Sequence, residues 1–154
     1  MKKYQFRPGF AWKVDPELAG KTIEKLAEKT DGQVTPLMVL REAEKKNSPL
    51  HTCFDWDNSE AAEKWRIHQA RLLMGSLIVN IEYSEPQTIR AFVNIQTPEK
   101  QSYYPINTIM DDKEMMQMVI DQLKRKLTII SNQLKVYEGM KKHAEKIDQL
   151  LLEM

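Results

Sequence analysis

Residues 48–79, SPLHTCFDWDNSEAAEKWRIHQARLLMGSLIV, hold the chain's single cysteine, two of its three histidines and two of its three tryptophans. His51 and Cys53 stand two apart, Asp55 and Asp57 follow, and His68 comes one further segment on. Such a set could ligate a metal. A structural zinc site, however, takes four nitrogen or sulfur ligands, usually supplied in close pairs. One cysteine and three histidines, with His143 far along the chain, do not reach that set. A Cys53–His51 or Cys53–His68 pair could in principle make an activated thiolate, yet most free cysteines are small buried residues. The chain has no G-x-S-x-G, no glycine-rich phosphate loop and no H-E-x-x-H, and five glycines leave little material for phosphate cradles. The expectation is a loop in which Pro49, Leu50, Phe54 and Trp56 plug a core, with no metal, no cofactor and no catalytic residue.

A second group of chemistry-bearing residues belongs to the helix after that loop. Asp57 and Glu60 form a capping-box-like D-x-x-E, so a helix over 58–76 is expected. At 100° per residue Glu60, Lys64, His68 and Arg71 share one narrow stripe. Ala61, Ala62, Trp65, Ile67, Ala70, Leu72, Leu73, Met74 and Leu77 fill most of the remaining circumference, the pattern of a central helix packed on several sides. Arg66 and Gln69 fall inside that apolar arc. A guanidinium there needs an acceptor, and Asp55 and Asp57 are the nearest in sequence. Asp55, Trp56, Asp57, Trp65 and Arg66 are therefore expected to act structurally, tying the FDWD loop to its helix. Gly75 is expected to ease a close approach or to end the helix.

The elements that would position these residues are legible around them. Asp15 before Pro16 marks the start of a first helix, and Gly32 can supply a left-handed stop. Thr35 before Pro36 marks a second, with Val34 and Val39 as a hydrophobic staple and an end at Asn47-Ser48-Pro49. The period then changes from 3.6 to 2. LIVNIEY and TIRAFVNI, joined through SEPQ, read as an antiparallel hairpin in which Glu82 faces Arg90. SYYPI could add a short edge strand that Pro105 prevents from pairing further. From MDDKE onwards the chain is helical. Met116, Ile120, Leu123, Leu127, Ile130, Leu134 and Tyr137 form a heptad seam, and the rhythm slips at Gly139 before resuming at Met140, Ala144, Ile147 and Leu151. A kink and an antiparallel helical hairpin fit that slip equally well.

Three helices followed by a β-hairpin is also the order of a winged helix-turn-helix, in which Lys64, His68 and Arg71 would face DNA. The loop over 46–57 is longer than such turns, Glu60 shares the stripe, and the hairpin offers only Arg90. Lys and Arg total 23 against 22 Asp and Glu, which argues against a field covering the whole molecule. The hydrophobic fraction of 42% is that of a globular chain, and no apolar run approaches the roughly 20 residues of a membrane span. One cysteine and no secretory signal lead us to expect a cytoplasmic protein.

The residues Thr35-Pro36, Ser48-Pro49-Leu50-His51, Phe54, Trp56-Asp57, Ala61-Ala62, Trp65-Arg66 and Gln69-Ala70-Arg71, with RAFVNI and YYPI further on, carry a resemblance. Through them the chain resembles a family of small uncharacterised proteins of bacteriophages and prophages. The resemblance covers most of the chain, more weakly towards its end. It implies a phage or prophage product acting inside a bacterial cell and carries no site residue.

The expected fold is α+β, with three N-terminal helices, a small antiparallel sheet of two or three strands, and a long or kinked C-terminal helix or helical hairpin. Residues 1–110 would form a helical domain with a β-hairpin. Residues 111–154 would form a coiled-coil-like segment that packs on the same core or dimerises. The expected function is non-enzymatic binding of a protein partner, self or foreign, with duplex DNA binding and inhibition of a host or anti-phage defence protein as alternatives. No membrane or small-molecule partner is expected.

Overall fold

The computed structural model describes residues 4–56, 60–82, 86–96 and 101–154. The chain is α+β and divides into two compact units, Met1–Ile109 and Met110–Met154. In the first unit, strand β1 (Tyr4–Phe6) precedes helix α1 (Pro16–Glu28) and helix α2 (Pro36–Ala43). Both helices start where the cap chemistry requires. The Asp15 carboxylate accepts from the Leu18 N–H at 3.0 Å, and the Thr35 hydroxyl accepts from the Met38 N–H at 3.3 Å. Each such cap is worth about 1 kcal/mol. After α1 the Gly32 N–H donates back to the Ala27 carbonyl at 2.9 Å, with Gly32 at φ 80°. α2 ends at Ala43, short of the expected Asn47. Beyond it the bonds from Lys45 N–H to Glu42 and from Ser48 N–H to Lys45 span three residues, so the chain turns.

Helix α3 (Glu60–Ser76) runs directly into strand β2 (Leu77–Glu82), which pairs antiparallel with β1 on one side and β3 (Pro86–Arg90) on the other. The register differs from the one expected. Glu82 lies opposite Pro86, and Arg90 lies opposite Ile78. In this register the Glu82–Arg90 pair does not form across the ladder. The expected single second strand is also divided. After Ala91 the chain leaves the first sheet, and β4 (Phe92–Gln96) pairs with β5 (Gln101–Pro105) in a separate two-stranded sheet. Ala91 makes that crossing. Its N–H donates to the Leu77 carbonyl at 3.0 Å, its carbonyl accepts from Ile106 N–H at 2.9 Å, and the residue is buried. A large side chain there would have to find room between two sheets. β5 is tied to the α1–α2 loop by paired backbone bonds between Val34 and Tyr103.

The core joins both sheets to the helices: Ile23, Val34, Val39, Leu40, Leu50, Leu73, Met74, Leu77, Val79 and Phe92 are essentially without solvent exposure. β1 had no sequence signal, since three residues show no period, yet it is firmly held. The Tyr4 N–H donates to Glu17 at 2.7 Å, its hydroxyl donates to Glu24 at 2.9 Å, and its ring stacks on Phe92. Burial first, then the Glu24 hydrogen bond, push the phenol's pKa up, and the Tyr4 N–H holds the Glu17 carboxyl below its usual range.

The ring of Tyr4 occupies the space a side chain at position 20 would need: a Cβ on Gly20 would sit 2.2 Å from Cγ. Replacing a mid-helix glycine by alanine ordinarily stabilises by up to about 1 kcal/mol. Here Gly20→Ala is expected to destabilise by about 1–3 kcal/mol through overpacking, read by denaturant unfolding, whereas Gly75→Ala, whose Cβ meets only Arg90 at 3.7 Å, is expected to be tolerated.

In the second unit, after the short helix α4 (Ile106–Asp111) that straddles the boundary, helix α5 (Lys113–Leu134) and helix α6 (Lys141–Glu153) are joined by a turn with one 3₁₀ segment at Glu138–Met140. The rhythm slip at Gly139 is therefore a reversal of the chain. Asp112 caps α5, accepting from the N–H groups of Glu114 and Met115.

Candidate functional site

The stretch His51–Trp56 folds into a single 3₁₀ turn followed by an extended segment, and its polar groups are spent on holding that shape. His51 Nδ1 is 2.7 Å from the Ala43 carbonyl, so it carries the proton and donates. The imidazole stacks on Trp56 at 4.8 Å between centroids, and the indole N–H donates to the His51 carbonyl at 2.9 Å. Arg66 closes the arrangement. Its guanidinium lies 5.5 Å over the Trp56 ring, and Nη1 donates to the Asp55 main-chain carbonyl at 3.2 Å. The residues expected to tie loop to helix thus meet through a carbonyl and an aromatic face. Asp57 lies outside the described residues.

Cys53 is buried against this loop, and burial pushes its thiol up to about 11. At neutral pH it is a thiol, not the thiolate a nucleophile requires. Among the described residues no three of His, Cys, Asp and Glu gather closely enough to hold an ion. Beside the loop is a cleft of about 410 Å³ lined by Trp12, Lys13, Thr52, Cys53, Asp55 and Gln69. Two of its polar groups are engaged: Trp12 donates to Ser76 Oγ at 3.0 Å and Thr52 to the Lys13 carbonyl at 2.6 Å. Gln69 Oε1 is buried with no hydrogen-bond partner. Its position in the apolar arc of α3 was the only sequence sign of this.

α3 is not sequestered on all sides, contrary to expectation. Ala70, Leu73, Met74 and Ser76 are buried, but Trp65 is 54% exposed and Leu72 37%. The helix packs on α2 and β4 through one face. Trp65 instead lies against His68, ring centroids 5.3 Å apart. Lys64, His68 and Arg71 all reach solvent.

The heptad seam of the C-terminal unit is split by the way α6 packs. Ser131 and Ala144, both with no exposure, bring the two helices together. Ser131 Oγ donates to Asp148 Oδ1 at 2.5 Å and approaches the Ala144 carbonyl at 3.2 Å, Lys135 pairs with Asp148 at 2.7 Å, and Lys124 donates to the Met154 carbonyl at 2.7 Å. The three residues that make these contacts stand at the edge of the polar arc of α5. Ile120, Leu127 and Leu134 are consequently half-buried, whereas Met116, Leu123, Ile130 and Tyr137 stand open, Leu123 at 51% and Tyr137 at 65%. Met118, at 44%, and Ile129, at 57%, extend the open surface beyond the seam. Heptad counting missed these two because it follows only one stripe.

Lys135 first, then Ser131, hold the Asp148 carboxyl below its ordinary range. A carboxylate with a depressed folded pKa contributes stability above its unfolded value of about 3.9 and loses it as pH falls through the folded value. Acidification from about pH 5 to about pH 2 is thus expected to lower amide-exchange protection in α6 of the full chain, and Asp148→Asn is expected to flatten that response. No family model matches the chain, and neither curated proteins nor solved structures include a significant match.

Proposed function

We propose that this protein is a non-enzymatic accessory factor of a bacteriophage or prophage that works inside the bacterial cell by binding a protein partner through its C-terminal hairpin. The observation that carries the reading is the contrast between the two units. The first has a filled core, and its reactive side chains are committed to a loop. The second buries only Ser131 and Ala144 and leaves Met116, Met118, Leu123, Ile129, Ile130 and Tyr137 in water. Contiguous apolar surface of that kind marks interaction sites in soluble proteins. Methionines on it adapt to irregular partners. The phage assignment rests on the SPLH-x-x-F-x-WD segment and its continuation through Arg71.

A photo-cross-linking residue in place of Ile130, in the full chain inside a bacterial host, is expected to give discrete adducts, a second copy of the chain included. The same residue in place of exposed Arg41 is expected to give none. Equal or absent labelling at both positions removes the reading.

One observation favours a second reading. Lys64, His68 and Arg71 are all exposed along one stripe of α3, spanning about 10 Å, as a duplex-binding helix would need. If they contact phosphates, the full chain shifts duplex DNA at about 50 mM salt, and Lys64→Ala lowers the salt slope by about 0.9. Absence of a shift at low salt discards this reading.

A further inference from the structure

The open side of α5 is more ordered than a scatter of exposed apolar residues. At 100° per residue, Lys113, Glu114, Gln117, Asp121, Lys124, Arg125, Thr128, Ser131 and Asn132 fall on one half of the helix. α6 is bonded along the border of that half. The other half carries Met115, Met116, Val119, Gln122, Leu123, Lys126, Ile129, Ile130, Gln133 and Leu134, with one charge among them; Met115, Val119, Gln122 and Leu134 are half-buried and the rest stand open. Eight of them fall at levels that pair about the midpoint between Gln122 and Leu123: 115 with 130, 116 with 129, 119 with 126, and 122 with 123. A two-fold axis at that midpoint sets each level of the helix beside its paired level in a second copy, the arrangement of an isologous dimer.

Charge selects the same arrangement. The part of the hairpin near its turn, 124–146, has seven basic residues against two glutamates. The part near its open end, 110–123 with 147–154, has one lysine against six acids. The hairpin is therefore neutral but strongly polarised, about +5 at one end and −5 at the other. Two copies side by side in the same direction would set like against like. Two copies reversed set each basic end against an acidic one, an attraction that steers and orients association.

Area points the same way. Two helices alone enclose almost nothing here, whereas four in a bundle enclose a core. α5 is about 33 Å long, so two such faces in contact would bury on the order of 1,000 Å², the lower range for a specific interface.

Resting on the reading that the hairpin is the binding element, we propose that its partner is a second copy of this chain, with the two α5 helices antiparallel and crossing at Gln122–Leu123. The open half of each helix closes on the other, Met115 against the partner's Ile130 and Val119 against the stem of the partner's Lys126. The result is an antiparallel four-helix bundle built from two hairpins.

Light scattering on the full chain between about 1 and 100 μM, the span in which an interface of this size should dissociate, is expected to show a monomer–dimer equilibrium. Leu123→Glu should abolish it. Leu123 is half-exposed, so that change spares the fold, and an unaltered helical circular dichroism signal checks this. Orientation is read by disulfide trapping. Met115→Cys chains mixed with Ile130→Cys chains should cross-link, while Met115→Cys chains alone should not, since in this geometry their Cα atoms are more than about 20 Å apart. The buried Cys53 gives no background, as the unchanged chain will show. A strict monomer, a dimer indifferent to Leu123→Glu, or trapping of Met115→Cys chains with themselves would each overturn the proposal. A monomer whose position 130 cross-links to another protein leaves the binding reading standing and removes only the self-pairing.

Discussion

Ser131 and Ala144 touch because neither has a side chain large enough to hold the helices apart, and that contact fixes which side of α5 the returning helix takes. Close approach through small residues brings backbone and short polar groups together, here the Ser131 hydroxyl with the Ala144 carbonyl and Asp148. The same approach draws α6 towards the polar border of α5 and away from its methionines and isoleucines. Had the helices met through Leu123 and Ile130, the hairpin would have covered its own apolar stripe. A contact between two small residues thus determines how much greasy surface the unit presents.

In the first unit the analogous constraint is the burial of Ala91 between two sheets. The alternating pattern of TIRAFVNI is compatible with one continuous strand, and its periodicity contains nothing that marks a break. The break is set by what Ala91 must satisfy on either side, the Leu77 carbonyl and the Ile106 N–H, which are distant in sequence. Caps behave oppositely. Asp15-Pro16 and Thr35-Pro36 act on the backbone within three residues, so they are legible without knowledge of the fold. The Glu82–Arg90 pairing failed for the reason Ala91 did: charge complementarity is weak beside the packing that sets strand register. β1 was invisible because its hold comes from a glycine sixteen residues later and from two glutamates on the same helix.

The candidate site was partly legible. That Arg66 meets the FDWD loop follows from the rule that a guanidinium among apolar residues needs acceptors. That it does so through the Asp55 carbonyl and the Trp56 ring does not follow from residue types. The exposure of Trp65 ran against composition. A tryptophan in an apolar arc is ordinarily a core residue, but here the buried positions of the helix are Ala70, Leu73 and Met74, more than a turn further on. The heptad pattern gives a period and no direction, since a repeat does not state which neighbour takes which stripe.

Cys53 gives the molecule a built-in gauge. A thiol kept protonated and nearly buried at the edge of the cleft is alkylated slowly while the first unit stays closed. Its rate of labelling therefore times the breathing of the first unit in the unmodified chain, without a dye or an added probe. Because no other sulfhydryl competes, the fraction of chains carrying a single mass increment follows that opening with time.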